Sequence, residues 1–133
     1  MELNDYQKQA MTTCMDSCNN FSYMMLNLVA ELGEFSGKVS KAIRKKKVTI
    51  GSPEQQENTY PNELLFNAEL HQGSQEFGEF IDELKKEAGD ILWQLAGLCK
   101  VMGWTLDDVA QVNLDKLSDR KNRGVIDGNG DNR

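Results

Sequence analysis

Residues 21–46 read FSYMMLNLVAELGEFSGKVSKAIRKK, and their apolar residues recur at steps of three and four. This spacing lines one face of an α-helix, because the helix makes a turn every ~3.6 residues. The segment therefore predicts a long amphipathic helix with a continuous apolar stripe. The stripe consists of Phe21, Met25, Leu28, Leu32, Phe35, Val39 and Ala42.

Three more segments outside this helix have helical spacing. The first runs from Leu3 to about Cys18, with Asn4 or Asp5 placed to cap its start. The second covers residues 77–102 and precedes Gly103, a residue suited to a left-handed C-terminal cap. The third follows Thr105 as N-cap and extends to about Arg123.

The segment between the two long helices is irregular in composition. Residues 47–62 contain Gly51 and both prolines, which indicates a loop, and residues 64–70 suggest a short helix. No segment shows the apolar alternation of a strand, so the sequence predicts an all-α, four-helix-bundle-like fold. The expected organisation is a single domain over 1–133, with an irregular insertion at 47–76 and a flexible tail at 124–133.

Charge and cysteine content exclude several classes of protein. The chain has 15 Lys and Arg against 21 Asp and Glu, and its net charge of −6 disfavours binding to duplex nucleic acid. Cys14, Cys18 and Cys99 form no metal-binding spacing and are expected to be reduced core residues. The sequence shows no leader and no apolar run of the ~18 residues that a membrane span needs, so we expect a cytoplasmic protein.

The two long helices contain the same local pattern. LVAELGEF at 28–35 and LKKEAGDI at 84–91 both read apolar-x-x-Glu-x-Gly-acid-apolar. At about 100° per residue, Glu31 and Glu34 lie on one side of the apolar stripe, and Glu87 and Asp90 lie on the equivalent side of the other helix. Antiparallel packing of these helices would bring the four carboxylates together.

A cluster of four carboxylates predicts a divalent cation, because the like charges repel and a hard cation relieves that repulsion. Carboxylate oxygens are ligands for Mg²⁺ and Mn²⁺, and Mg²⁺ usually keeps positions for water and substrate phosphates. The residues thus suggest metal-dependent phosphate chemistry at a site comprising Glu31, Glu34, Glu87 and Asp90. The alternative is that these acids form ordinary solvated helix faces.

Two other kinds of site are poorly supported. Di-iron bundles use Glu-x-x-His pairs, and neither acidic motif has a histidine three residues further on. A Cys–His or Ser–His hydrolase would depend on His71, the single histidine, which we expect at the surface.

The matching Gly33 and Gly89 suggest close backbone approach between helices, because a mid-helix glycine otherwise costs ~1 kcal/mol.

Basic and aromatic residues supply candidate substrate contacts. Asn113, Lys116 and Arg120 share one face of the last helix and could donate to a phosphate, or could offset the helix dipole. Lys38 shares the carboxylate side of its helix and is expected to reach the site, whereas the other cations of 38–47 are expected to be solvated. Trp93 and Trp104 suit either base stacking or packing at a helix or subunit contact.

The chain resembles the MazG-like nucleoside triphosphate pyrophosphohydrolases in three stretches that occur in the order seen in that family. These are NDYQKQAMTT, ELGEFSGKVSKAIR and the long segment from KKEAGDILWQLAGLCKVMGW to the GDNR terminus. The resemblance implies an all-α enzyme that converts a nucleoside triphosphate to the monophosphate and pyrophosphate with Mg²⁺, or Mn²⁺ in its place. The segment before Glu83 is longer than in compact members, which leaves base specificity open.

Site roles follow from the same resemblance. It places the metal-binding acids at Glu31, Glu34, Glu87 and Asp90, and it implies phosphate or sugar contacts from Asn113, Lys116 and Arg120, with Arg123 and Arg133 helping to close the site. It also supports a homodimer or homotetramer, which the long apolar stripe and the off-stripe Trp93 suggest. The alternative function is a non-catalytic helical interaction module that retains the bundle.

Overall fold

A computed structural model describes residues 1–50, 64–66 and 75–129 of the chain. Over these residues it contains four α-helices, which confirms the all-α class. They are α1 (Leu3–Ala10), α2 (Phe21–Arg44), α3 (Gln75–Val101) and α4 (Leu106–Asn122). Two compact units are present, one formed by Met1–Met25 with Trp93–Arg133, and the other by Leu26–Leu92.

The first helix is shorter than its spacing predicts. It ends at Ala10 instead of about Cys18, and 3₁₀ turns follow at Met11–Thr13 and Asp16–Cys18. The Thr12 and Thr13 hydroxyls donate to the Gln9 and Ala10 carbonyls, at 2.6 and 2.7 Å. Such local bonds compete with helix continuation, which accounts for the early end.

The helix caps are only partly as predicted. The Thr105 hydroxyl accepts a hydrogen bond from the Asp108 amide at 3.1 Å, and Gly103 has a φ of +74°, so both features at the α3–α4 turn are confirmed. The N-cap of α1 is Glu2, without a side-chain cap bond, and not Asn4 or Asp5. Asn4 Oδ1 instead accepts from the Asp107 amide at 3.1 Å.

The segment between α2 and α3 contains a short sheet that the sequence analysis missed. Strand β1 (Val48–Ile50) pairs antiparallel with β2 (Leu64–Phe66), with Val48 opposite Phe66. The expected loop at 47–62 is therefore wrong at 48–50, and the expected helix at 64–70 is wrong at 64–66. The first strand contains three consecutive β-branched residues, which favour a strand over a loop. His71 and Arg133 lie outside the described residues.

The core of the unit formed by 1–25 and 93–133 is built around one buried cluster. Met11, Ala96, Cys99 and Leu106 form it, and Trp93 packs against it. The Trp93 indole donates to the Ala10 carbonyl at 3.1 Å and to the Thr13 hydroxyl at 2.9 Å. Trp93 is thus a packing residue within the chain, and it no longer supports a subunit contact.

A buried amide joins three elements of the same unit. Gln7 Nε2 donates to the carbonyls of Ala96 and Trp104, both at 3.2 Å, and Gln7 Oε1 accepts from the Leu106 amide at 3.0 Å. The side chain is 9% exposed. A buried amide with these partners stabilises the packing of α1 on the α3–α4 turn, whereas an unpaired backbone group there would be costly.

Glycine contacts differ from the expectation. Among the described residues, a Cβ at Gly33 or Gly89 would meet no atom within 4 Å, so neither glycine marks a close approach. Gly97 does, because a Cβ there would overlap the fully buried side chain of Met24. The cysteines follow the prediction, since Cys14, Cys18 and Cys99 are all free and the last two are buried.

We predict that Gln7→Leu lowers the free energy of unfolding by about 1–3 kcal/mol, because it leaves the Leu106 amide and two carbonyls without their partner. The measurement is urea denaturation followed by circular dichroism. Gln9→Leu, on an exposed position of the same helix, is the control and should change stability by less than ~0.5 kcal/mol. Equal stability of the two variants would contradict the role assigned to Gln7.

Candidate metal centre

Three of the four predicted acids lie together in the unit formed by Leu26–Leu92. Glu31 and Glu34 come from α2 and Glu87 comes from α3, and one carboxylate oxygen of each lies within 4.8 Å of the other two. Glu31 and Glu87 are half-buried, and Glu34 is exposed. We call these three residues the carboxylate cluster. Its donor set consists of oxygen atoms alone, which fits a hard cation such as Mg²⁺ or Mn²⁺.

Asp90 does not join the cluster at that separation. It is exposed on α3, one turn beyond Glu87. The negative charge of Asp90 still acts on the cluster, because it contributes to raising the pKa of Glu31. The structure thus brings together three of the four predicted ligands and places the fourth on the adjoining turn.

The surroundings of Glu31 in the carboxylate cluster disfavour the ionised form of its carboxyl group. Burial raises the pKa of Glu31, and the neighbouring charges of Glu34, Asp90 and Glu87 raise it further. A hydrogen bond opposes this shift, since Asn27 Nδ2 donates to Glu31 Oε1 at 2.9 Å. Asn27 holds that carboxylate in place from one turn earlier on α2. Sequence reasoning missed Asn27, although its i, i+4 spacing to Glu31 was a usable signal.

Lys38, the lysine that the sequence analysis expected to reach the site, forms an ion pair with one residue of the carboxylate cluster. Its Nζ lies 2.7 Å from Glu83 Oε2 and 3.3 Å from Glu87 Oε1. The hydrogen bonds that Lys38 donates to Glu83 and Glu87 raise the pKa of Lys38, and the hydrogen bonds that Glu83 accepts from Lys38 and Lys86 lower the pKa of Glu83. Glu83 was not predicted as a site residue, yet it shares a helix face with Glu87 four positions on and holds the ammonium between them.

The remaining candidate substrate residues lie on α4, in the unit formed by 1–25 and 93–133. Asn113 and Lys116 are exposed, whereas Arg120 is buried, with 5% of its surface exposed. Arg123 is exposed and pairs with Asp119 at 2.7 Å. Trp104 is 50% exposed in the α3–α4 turn. The burial of Arg120 distinguishes it from the two polar residues with which it shares a helix face.

Comparison with known proteins identifies the class to which this fold and this acidic site belong. The family model described as the MazG nucleotide pyrophosphohydrolase domain matches residues 19–125, which include all four predicted acids. The chain therefore belongs to the MazG nucleotide pyrophosphohydrolase family. This family acts on nucleotides, and its members are generally metal-dependent.

One relative matches the chain over its full length. It is the Gene 37 protein of Mycobacterium phage L5, which is 35% identical over 140 residues, covering 100% of both chains. No solved structure gives a significant match. Within the described part of the chain, no helix is both long enough and apolar enough to cross a membrane.

We predict that Glu31→Gln raises the free energy of unfolding of the metal-free protein by about 0.5–1 kcal/mol. The raised pKa means that folding disfavours the ionised carboxylate, so a neutral amide removes that cost at neutral pH. The glutamine carbonyl can still accept from Asn27. The measurement is denaturation in chelator.

The control for this prediction is Asp82→Asn, which removes one exposed carboxylate from α3 outside the carboxylate cluster. It should leave stability within ~0.5 kcal/mol of the parent chain. Destabilisation by Glu31→Gln would show that the ionised group makes a net favourable interaction. It would contradict the hypothesis that folding disfavours the ionised Glu31 carboxylate.

Proposed function

We propose that this protein hydrolyses a nucleoside triphosphate, ribo or deoxy, to the nucleoside monophosphate and pyrophosphate with Mg²⁺, and that it serves in nucleotide-pool housekeeping. The observation that carries the proposal is the carboxylate cluster, in which both repeated acidic motifs supply oxygens within 4.8 Å of one another. The family match over 19–125 supports the same reaction class. Convergence of acids from two helices, two of them half-buried, favours a metal site over solvated helix faces.

Glu31, Glu34 and Glu87 would hold the metal, with Asp90 as a fourth ligand from the adjoining turn of α3. The fit rests on the all-oxygen donor set and on the close approach of three carboxylates, whose charges add to the effect of burial in raising the pKa of Glu31. When bound, Mg²⁺ lowers the pKa of water and neutralises charge on the phosphates; Mn²⁺ would serve in its place.

The chain's own carboxylates would orient the attacking water. Either Glu34 or Glu31 would accept its proton as the water oxygen bonds to the α-phosphorus. The bond from that phosphorus to the bridging oxygen breaks, and pyrophosphate leaves with the electron pair. Lys38, Asn113, Lys116 and Arg120 are proposed to bind the substrate, and Lys38 has the strongest support because it lies 3.3 Å from Glu87.

We predict that Glu34→Gln and Asp90→Asn each keep the fold and reduce turnover at least about 100-fold, because each removes an anionic ligand. The assay is pyrophosphate release from a panel of ribo- and deoxynucleoside triphosphates, with Mg²⁺ and with chelator. Thermal stabilisation by Mg²⁺ in wild type, lost in Glu34→Gln, gives a second readout that does not depend on turnover.

The controls separate the outcomes of this experiment. Glu79→Gln removes an exposed acid from α3 outside the motifs and should keep activity. Near-native turnover in both site variants would refute the four-acid site. No pyrophosphate release by wild type from any nucleotide would refute the enzyme and favour a non-catalytic helical interaction module.

We also propose that the protein is a homodimer or homotetramer. Leu26 and Val29 on α2 are 75% and 66% exposed, and Val112 and Leu114 on α4 are 69% and 60% exposed. Large apolar residues exposed in groups are typical of protein contacts.

The three free cysteines are compatible with a reducing compartment, which supports a cytoplasmic location.

The oligomer is tested by sedimentation velocity at micromolar concentration, where we expect a dimer or tetramer. Leu26→Glu and Val29→Glu together should shift the protein to monomer, because charged groups would be buried in the contact. Val125→Glu, a position outside both apolar groups, is the control. A monomeric wild type would refute the proposal.

A further inference from the structure

The C-terminal end of α2 and the residues that follow it concentrate positive charge. Residues 38–47 contain six of the chain's 15 lysines and arginines and no acidic residue, although the chain as a whole has a net charge of −6. The helix dipole favours cations in the last turn, but this block extends beyond that turn on both sides. A block of this density favours an anionic ligand.

Four lysines of this block line a cleft of about 220 Å³ in the unit formed by Leu26–Leu92. We call it the lysine cleft, and it has room for a pyrophosphate group. Arg44 and Lys46 belong to the same block but do not line it. The lining residues are Lys38, Lys41, Ala42, Lys45, Lys47, Phe80 and Glu83.

The charges in the lysine cleft are not balanced. Lys38 pairs with Glu83, and Lys47 pairs with Glu76. Lys41 and Lys45 make no ion pair within the described ranges 1–50, 64–66 and 75–129. Within the part of the chain that the structure describes, two ammonium groups of the cleft thus have no carboxylate partner, and each has three N–H donors for an anion.

The lysine cleft adjoins the carboxylate cluster through one residue. Lys38 lines the cleft, and its Nζ lies 3.3 Å from Glu87 Oε1, an atom of a cluster residue. If one phosphate of a polyphosphate lies at the carboxylate cluster, the phosphates linked to it would therefore lie near the lysines of the cleft. The two sites together match an anion of several linked phosphates better than a single phosphate.

We propose that the lysine cleft binds the two terminal phosphates of the substrate, which leave as pyrophosphate. This assignment rests on the proposed function, since it names where the leaving group of that reaction lies. Lys41 and Lys45 are then substrate-binding residues, contrary to the sequence-based expectation that they are only solvated. Their charge stabilises the negative charge that builds up on the leaving group.

The test compares two double variants with equal charge. Lys41→Gln with Lys45→Gln removes the two ammonium groups of the lysine cleft that form no ion pair with a described residue. Arg44→Gln with Lys46→Gln removes two cations of the same block outside the cleft and is the matched control. Calorimetry measures the binding of inorganic pyrophosphate to each protein in chelator, and kinetics with Mg²⁺ measures kcat/KM for a nucleoside triphosphate.

We expect the cleft variant to lose at least about tenfold in pyrophosphate affinity and in kcat/KM, and the control to change less than about threefold. Equal losses in both variants would indicate a general electrostatic effect of the basic block and overturn the proposal. Unchanged pyrophosphate binding in the cleft variant would also overturn it. If the double variant fails to fold, the single variant Lys45→Gln, at an exposed position, replaces it. Its pyrophosphate affinity and kcat/KM are then compared with those of Lys46→Gln, and the same outcomes support or overturn the proposal.

Failure of the proposed function gives a different result. A wild type that binds pyrophosphate in the lysine cleft but releases none from any nucleotide would refute the reaction and keep the anion site. A wild type that turns over nucleotide, with both double variants equally active, would keep the reaction and refute the cleft assignment.

Discussion

Repulsion among the carboxylates of Glu31, Glu34 and Glu87 is the constraint on which the rest of this site depends. Folding brings acids from two helices close together and partly buries two of them, so the chain must offset the resulting charge. Asn27 donates to one carboxylate, and Lys38 lies between Glu83 and Glu87. These contacts offset part of the negative charge, and among the described residues Glu34 gains no comparable partner.

The same balance explains why opposite charges lie next to each other along α2. The acidic motif occupies its middle, and the basic block follows within a single turn. Lys38 belongs to both regions, since it contacts the carboxylate cluster and lines the lysine cleft. A metal and a polyphosphate require these two charge types at short range, because one binds to carboxylates and the other to cations. One helix can therefore supply both halves of a metal-dependent phosphate site.

Local signals in the sequence predicted most of what is local in the structure. The long helices, the Thr105 cap and Gly103 follow from short-range patterns and are confirmed. The end of α1 was missed because threonine hydroxyls compete for its carbonyls, and the sheet was missed because Val48 pairs with a residue 18 positions away. Three of the four acids converge as the helical wheel suggested, whereas Glu83 was missed because only the position of the Lys38 ammonium reveals its role. Buried Gln7 was missed for a similar reason, since its partners are about 90 to 100 residues away.

The positions of the tryptophans determine what optical spectroscopy can report. The chain has two, Trp93 and Trp104, and both belong to the unit formed by 1–25 and 93–133. The indole of Trp93 is hydrogen-bonded inside that unit, while Trp104 is half exposed. Tryptophan emission therefore follows the order of one unit, and the unit that carries the acids contains no intrinsic indole fluorophore. A change in emission on adding a divalent cation would therefore report on the unit that does not contain the acids.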